Sequence, residues 1–264
     1  MSSVITDVFL FKLLLSFVVG GCYIAAMLWV SERFGSKIGG ILIGLPLTTL
    51  ISLIFIAWTQ GAQAATAAVP VIPATIAANS ILLVMFIHQY QYGRIIAYGS
   101  ALLLWLLLTL PLVVFHVQSI LASLLLAALF FTVAIYFLSR FPYRKIPKYT
   151  FSRAEFMFRV CFVGTIVACA VFLGKVLGPL WGGLFASFPA AISSSLILLE
   201  RKHGIDFTAS VARTMPYGSM GNILFVLVFF YIEPVAGIGP SILLGYISAL
   251  AFAFVLNTYI LSKQ

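Results

Sequence analysis

Charged side chains are scarce: 15 Lys and Arg and 6 Asp and Glu in 264 residues, 8% of the chain, where a soluble domain carries about 25%. So few charges cannot cover a water-soluble surface. With 63% hydrophobic residues and a mean hydropathy of +1.17, the composition points to a polytopic membrane protein. Three cysteines, Cys22, Cys161 and Cys169, all fall in apolar runs, where a free thiol behaves as a small hydrophobe. That excludes a disulfide framework and a thiolate metal site. Only three histidines are present, and no metal-ligand spacing, phosphate-binding glycine loop or nucleophile elbow appears. Ser187 and the run Ser193, Ser194 and Ser195 have no base nearby in sequence; a hydrolase would need His203 or His88 to approach them. The expectation is a protein that is not an enzyme and needs no cofactor. Apolar stretches run the whole length, so no cleaved targeting segment is indicated.

A spanning helix needs roughly 20 apolar residues. That ruler places nine helices at about 8–30, 38–58, 66–88, 93–115, 117–139, 156–176, 179–199, 207–231 and 239–261. Residues 95–139 must hold two of them, since one helix of that length would extend about 67 Å against a hydrocarbon core of about 30 Å. His116 and Gln118 mark the turn. The lysines and arginines then orient the chain. Arg33, Lys37, Arg94, the cluster Arg140, Arg144, Lys145, Lys148 and Arg153, then Arg201, Lys202 and Lys263 fall on one side, leaving little beyond Lys175 on the other. By the positive-inside rule the N-terminus is outside and the C-terminus cytoplasmic, in a prokaryotic inner membrane. The net charge of +9 is thus mostly topology, and with no soluble domain to present a basic patch no nucleic acid partner is expected. The basic loop can touch anionic lipid headgroups.

The stretch "GGILIGLPLTTLIS" at 39–52 is broken by glycines, a proline and hydroxyls, and "GGLFASFPAAISSS" at 182–195 has the same plan. A shift of 143 positions carries Gly35, Gly39, Gly40, Pro46, Ser52 and Gly61 onto Gly178, Gly182, Gly183, Pro189, Ser195 and Gly204 without a gap. It also carries Gly21, Pro73 and Asn79 onto Gly164, Pro216 and Asn222. This pattern reads as an internal duplication. Five helices separate each element from its copy, and an odd step reverses direction, so the copies are expected to be inverted repeats, an architecture of many secondary transporters. The expected organisation is a first repeat at 1–116, a linker helix and basic loop at 117–155, and a second repeat at 156–264.

Proline lacks the N–H that bonds back one turn, so Pro46 and Pro189 break their helices near the middle. Each following half-helix then presents free N–H groups and a positive dipole end at depth. Freed backbone is tolerated in lipid only where protein or a water-filled cavity satisfies it. The candidate binding residues are Gly44, Pro46, Thr48, Thr49 and Ser52 in one copy and Ser187, Pro189, Ser193, Ser194 and Ser195 in the other, with Asn79 and Asn222 as amides lining the cavity. Arg213, whose counterpart is Pro70, breaks the symmetry, and an arginine there faces inward by default; with two helix N-termini it favours an anionic solute. Snorkelling to the headgroups is its alternative, and the same reading is made for Lys12 and Arg159. The acids Asp7, Glu32, Glu155, Glu200, Asp206 and Glu233 all lie near span borders, and the charge cluster of Glu200, Arg201, Lys202, His203 and Asp206 reads as a solvated loop, with a gate or proton relay as its alternative.

The stretch "FGSKIGGILIGLPLTTLISLIFIAWTQG", followed by Asn79 and Ser80, resembles the GlpM-like group of small prokaryotic membrane proteins over about residues 10–90, with a weaker copy over 156–231. The second copy departs from the group's LPLTS-type pattern with "SFPAAISSS", and the chain is about twice the group's length. The resemblance implies an antiparallel pair of four-helix units fused through an extra helix, and it implies no substrate. The functional expectation is a secondary transporter or exporter of a small, in one reading anionic, solute working by alternating access. A flippase for a lipid-linked anion and a non-transporting accessory protein that binds a partner are the alternatives, and a homodimer or an accessory subunit is compatible with each.

Overall fold

A computed structural model describes residues 7–32, 41–141 and 152–256. Arg33, Gly35, Lys37, Gly39, Gly40, Arg144, Lys145, Lys148 and Lys263 lie outside the described residues, as does the side chain of Glu32. Among the described residues nine helices are long and apolar enough to cross a membrane: α1 Asp7–Ser31, α2 Ile41–Gln60, α3 Ala62–Tyr92, α4 Arg94–Val114, α5 Ile120–Leu138, α6 Arg153–Leu177, α7 Pro179–His203, α8 Ile205–Ala236 and α9 Ile238–Val255. The protein is an all-α polytopic membrane protein. Each segment has its sequence-expected place to within a few residues. In lipid every backbone polar group must be satisfied within the chain, so an apolar run of this length has no alternative to the helix.

Four of the nine helices are discontinuous, and they pair up under the 143-residue shift. In α2 the helix stops after 41–44 and restarts as Leu47–Gln60 behind Pro46, whose φ and ψ are −71° and 44°. In α7 it stops at Ala186 and restarts as Ala190–His203 behind Pro189, at −72° and 45°. Helix α3 runs Ala62–Ala68, tightens into a 3-10 turn at Val69–Val71, and continues as Ile72–Gln89. Helix α8 runs Ile205–Ala212 and restarts as Met215–Ala236. The turns before α3 and α8 are single glycines, Gly61 at φ 95° and Gly204 at φ 80°. An L side chain at either would be strained.

Helices α2, α3 and α7 form the interior, with 83% of their apolar windows buried against 22–39% for the other six. Helix α1 packs along α6, α3 against α4 and α5, and α8 against α9. Small residues set the close crossings. A Cβ on Gly21 of α1 would sit 2.4 Å from the Val160 carbonyl oxygen of α6, and one on Gly164 of α6 would sit 2.5 Å from that of Phe17 in α1. The shift of 143 converts one contact into the other with the partners exchanged. A second exchanged pair lies deeper: a Cβ on Gly218 would come within 3.0 Å of the Gly44 Cα, and their counterparts Thr75 and Ser187 are joined by a hydroxyl hydrogen bond.

Candidate functional site

The two proline breaks meet at a small buried cavity of about 30 Å³, room for one or two waters. Its wall includes Gly44, Leu45, Thr48 and Thr49 from α2, Ile76 and Asn79 from α3, Ser187, Phe188, Pro189, Ala191 and Ile192 from α7, and Ser219 and Asn222 from α8. Proline is the reason both helices restart here. Its ring forbids continuation of the preceding turn while its fixed φ suits the first turn of the next piece. At each restart one amide makes a tight bond backward, Leu47 to the Leu45 carbonyl and Ala190 to the Phe188 carbonyl, both 2.7 Å. The next intrahelical bonds are Leu50 to the Pro46 carbonyl and Ser193 to the Pro189 carbonyl. The N–H groups of Thr48, Thr49, Ala191 and Ile192 therefore have no intrahelical acceptor, and neither end carries a side-chain cap.

The polar network around the cavity differs between the halves. Asn79 donates to the Ser187 carbonyl at 3.1 Å and accepts from the indole N–H of Trp105 at 2.6 Å. Because indole only donates, that bond fixes which way the Asn79 amide faces. Ser187 is also bonded to Thr75 and returns its hydroxyl to the Gly183 carbonyl at 2.8 Å. Asn222, the counterpart of Asn79, donates to the Thr49 hydroxyl at 3.2 Å, while its own carbonyl oxygen is buried with no partner. Ser248 occupies the position equivalent to Trp105 and donates to the Gly245 carbonyl instead. One amide of the pair thus has a partner at both its nitrogen and its oxygen, and the other has an oxygen without one.

Of the sequence-derived residues, Gly44, Thr48, Thr49, Asn79, Ser187, Pro189 and Asn222 converge on this cavity. Pro46 is buried behind it as the cap of the half-helix. Ser52 and its counterpart Ser195 are fully buried without partners one turn further along, and Ser194 returns its hydroxyl to the Ala191 carbonyl. These three and Ser193 are not on the cavity wall. Arg213 is not there either: its guanidinium donates to the Phe141 carbonyl at 3.1 Å, beyond the end of α5. Thr75, Trp105 and Ser219 escaped the sequence reading. A lone tryptophan among leucines was the available signal, since a buried indole N–H needs an acceptor.

Two carboxylates also depart from expectation. Glu200 is not in a solvated loop: it is 3% exposed and accepts from Arg94 at 2.9 Å and from the Tyr90 hydroxyl. This joins the end of α7 to the α3–α4 turn on the face that carries most of the basic residues. Glu233, near the end of α8 on the opposite face, is 9% exposed and accepts from Thr66 at 2.6 Å. Arg159 is 1% exposed and so does not snorkel, whereas Lys12 lies over the Trp58 ring and donates to its carbonyl at 3.0 Å.

A second cavity, of about 880 Å³, opens on the face where α1 begins. Ala62, Gln63, Thr66, Ala67 and Pro70 of α3, the α4–α5 turn with His116 and Gln118, the α6–α7 turn with Trp181, and Phe230 and Glu233 of α8 line it. From Pro70 at its floor to Ile76 at the central cavity is about 9 Å along α3 at ~1.5 Å per residue. The barrier between them includes the first half of α7, where a Cβ on Gly183 would lie 2.0 Å from the Ala68 carbonyl oxygen. On the opposite face the equivalent of Ala67, Ser210, is fully buried. Among the described residues no group of three or more His, Cys, Asp and Glu could hold a metal ion. No protein-family model, curated protein or solved structure matches the chain.

Proposed function

We propose that the protein is a secondary transporter of a small solute, working by alternating access around the Pro46 and Pro189 breaks. The observation that carries this reading is the pair of proline-capped half-helices, alike in backbone angles, whose N-termini share one buried polar cavity. Helix restarts at depth expose donors that lipid cannot satisfy, and such sites persist where a solute or water meets them. The exchanged contacts, Gly21 with Val160 against Gly164 with Phe17, support a two-fold relation between an α1–α4 unit and an inverted α6–α9 unit, with α5 as the linker. Under this reading the GlpM-like stretch represents one unit of the pair.

An inverted pair has two mirror-related openings, and the chain occupies one of them. The vestibule at Gln63, Thr66, Ala67 and Pro70 is open. Its counterpart would form from Asp206, Ala209, Ser210 and Arg213, beside Tyr90, the equivalent of Glu233. That is where Glu200 holds Tyr90 and Arg94. The clasp is therefore the closed gate of the basic face, which the lysine and arginine distribution assigns to the cytoplasm. Arg213 enters the solute path only when that gate opens, so its charge gives no sign for the solute in the present state.

Reciprocal labelling tests the proposal. In a variant lacking Cys22, Cys161 and Cys169, Ala67→Cys and Ser210→Cys are probed from each side of sealed vesicles with a membrane-impermeant thiol reagent. Alternating access requires Ala67→Cys to react from the N-terminal face and Ser210→Cys from the basic face, with Glu200→Gln slowing the first and speeding the second. A Ser210→Cys that stays unreactive in both backgrounds refutes the transport reading and leaves an accessory membrane protein.

A further inference from the structure

The vestibule on the N-terminal face has a chemistry of its own, separate from the central cavity. Its volume of about 880 Å³ lies within the 300–1,000 Å³ of small-molecule sites and far exceeds what a bare ion needs. Most of its wall is apolar, with Trp181 and Phe230 as the aromatic members, and no lysine or arginine reaches it. The carboxylate is Glu233, nine-tenths buried, held by the Thr66 hydroxyl at 2.6 Å and without an ion-pair partner among the described residues. A carboxylate near a helix end in a membrane, facing a cavity whose wall carries no lysine or arginine, presents a charge that a cationic ligand would offset. Pro234 follows it directly and lines the same cavity.

We infer that this vestibule binds amphipathic organic cations, with Glu233 as the counter-charge to an ammonium group and the Trp181 and Phe230 rings as the wall for its apolar body. Aromatic faces attract ammonium groups as well as apolar chains, so the same wall serves both ends of such a molecule. The central cavity, with its free N–H groups, reads hydrogen-bond acceptors; the vestibule reads the sign of the charge. As a statement about which solutes enter, the inference rests on the transport reading. Its test is a binding measurement and needs no transport.

The purified protein is titrated with hexylammonium, hexanoate and hexanol, which share one apolar body and differ in charge, and with sodium and potassium chloride at matched ionic strength. Hexylammonium should raise the unfolding temperature in a saturable way; hexanoate, hexanol and the salts should not. Glu233→Gln keeps the size of the side chain and an acceptor for Thr66, and should weaken hexylammonium at least tenfold. A second readout covers the case in which that variant does not fold. Ala67→Cys, in the background lacking native cysteines, should react at least tenfold faster with a trimethylammonium methanethiosulfonate than with its sulfonate analogue, relative to a free thiol. Equal stabilisation by hexylammonium and hexanol, stabilisation by the inorganic cations alone, or no charge preference at Ala67→Cys overturns the inference, while the reciprocal labelling of Ala67 and Ser210 stands or falls separately.

Discussion

Replacing Gly21 or Gly164 by alanine should destabilise the protein to a similar degree, for the same reason seen from the two sides of the α1–α6 crossing. The added Cβ would lie 2.4 Å from the Val160 oxygen in one case and 2.5 Å from the Phe17 oxygen in the other, more than half an ångström inside normal contact. Both obstacles are backbone, which cannot rotate away, so the helices must separate. Overpacking of this kind costs about 1–3 kcal/mol. Against it stands the gain in helix propensity of glycine to alanine, up to about 1 kcal/mol, so a net loss of about 1–2 kcal/mol remains. At ~2–4 °C per kcal/mol for a chain of this size, the unfolding temperature in one detergent should fall by about 2–8 °C. Gly99 is the control: it lies in α4 with nothing within 4 Å, and Gly99→Ala should be neutral or slightly stabilising. The two clashes lie one turn apart on one crossing. Once the helices part for one alanine the second costs less, and the double variant should fall short of the sum by at least ~0.5 kcal/mol. Strict additivity, or a Gly21→Ala shift no larger than that of Gly99→Ala, would refute the exchanged contact.

Trp105→Phe removes the donor to Asn79 and should cost about 0.6 kcal/mol, the average for hydrogen bonds between membrane helices, and at most about 1.7 kcal/mol; an unchanged unfolding temperature would show that Asn79 does not depend on the indole. Gly183→Ala places a Cβ 2.0 Å from the Ala68 oxygen, and should part the barrier between vestibule and central cavity, read as faster reaction of Thr48→Cys with thiol reagents added on the N-terminal face. Pro189→Ala restores an amide donor and lets α7 run through. It should leave the protein folded, by circular dichroism and gel filtration, while freezing the exchange between Ala67→Cys and Ser210→Cys reactivity.

The helices were legible because lipid leaves an apolar run no other structure, and the breaks because proline acts locally: Pro46 and Pro189 stand at the N-caps, one position before the first turn that suits proline best. Asn79 and Asn222 were legible as rare amides in matching positions. What could not be read was rotation. These helices are apolar on all faces, so periodicity does not say which residues point inward or how far the cavity extends, and Ser52, Ser193, Ser194 and Ser195 lie off the wall that Thr48 and Thr49 line, Ser52 and Ser195 one turn beyond it. Depth misled as well. Glu200 and Glu233 lie near span borders in sequence but are buried by neighbours far along the chain, Tyr90 and Arg94 for one and Thr66 for the other. Arg213 sits at the break of α8, and its length carries the charge to the Phe141 carbonyl, so the sequence argument for an anionic solute lost its main support.

Two faces that open in alternation about one buried site must change width in opposite directions. Spin-label pairs in lipid nanodiscs measure this directly, one across the vestibule at Gln63 and Gln118 and one across the basic face at Tyr92 and Asp206. Alternating access requires two distance populations for each pair, with Glu200→Gln shortening the first distance and lengthening the second together. A single population at both faces that Glu200→Gln leaves unmoved, or two faces that widen at the same time, would contradict it.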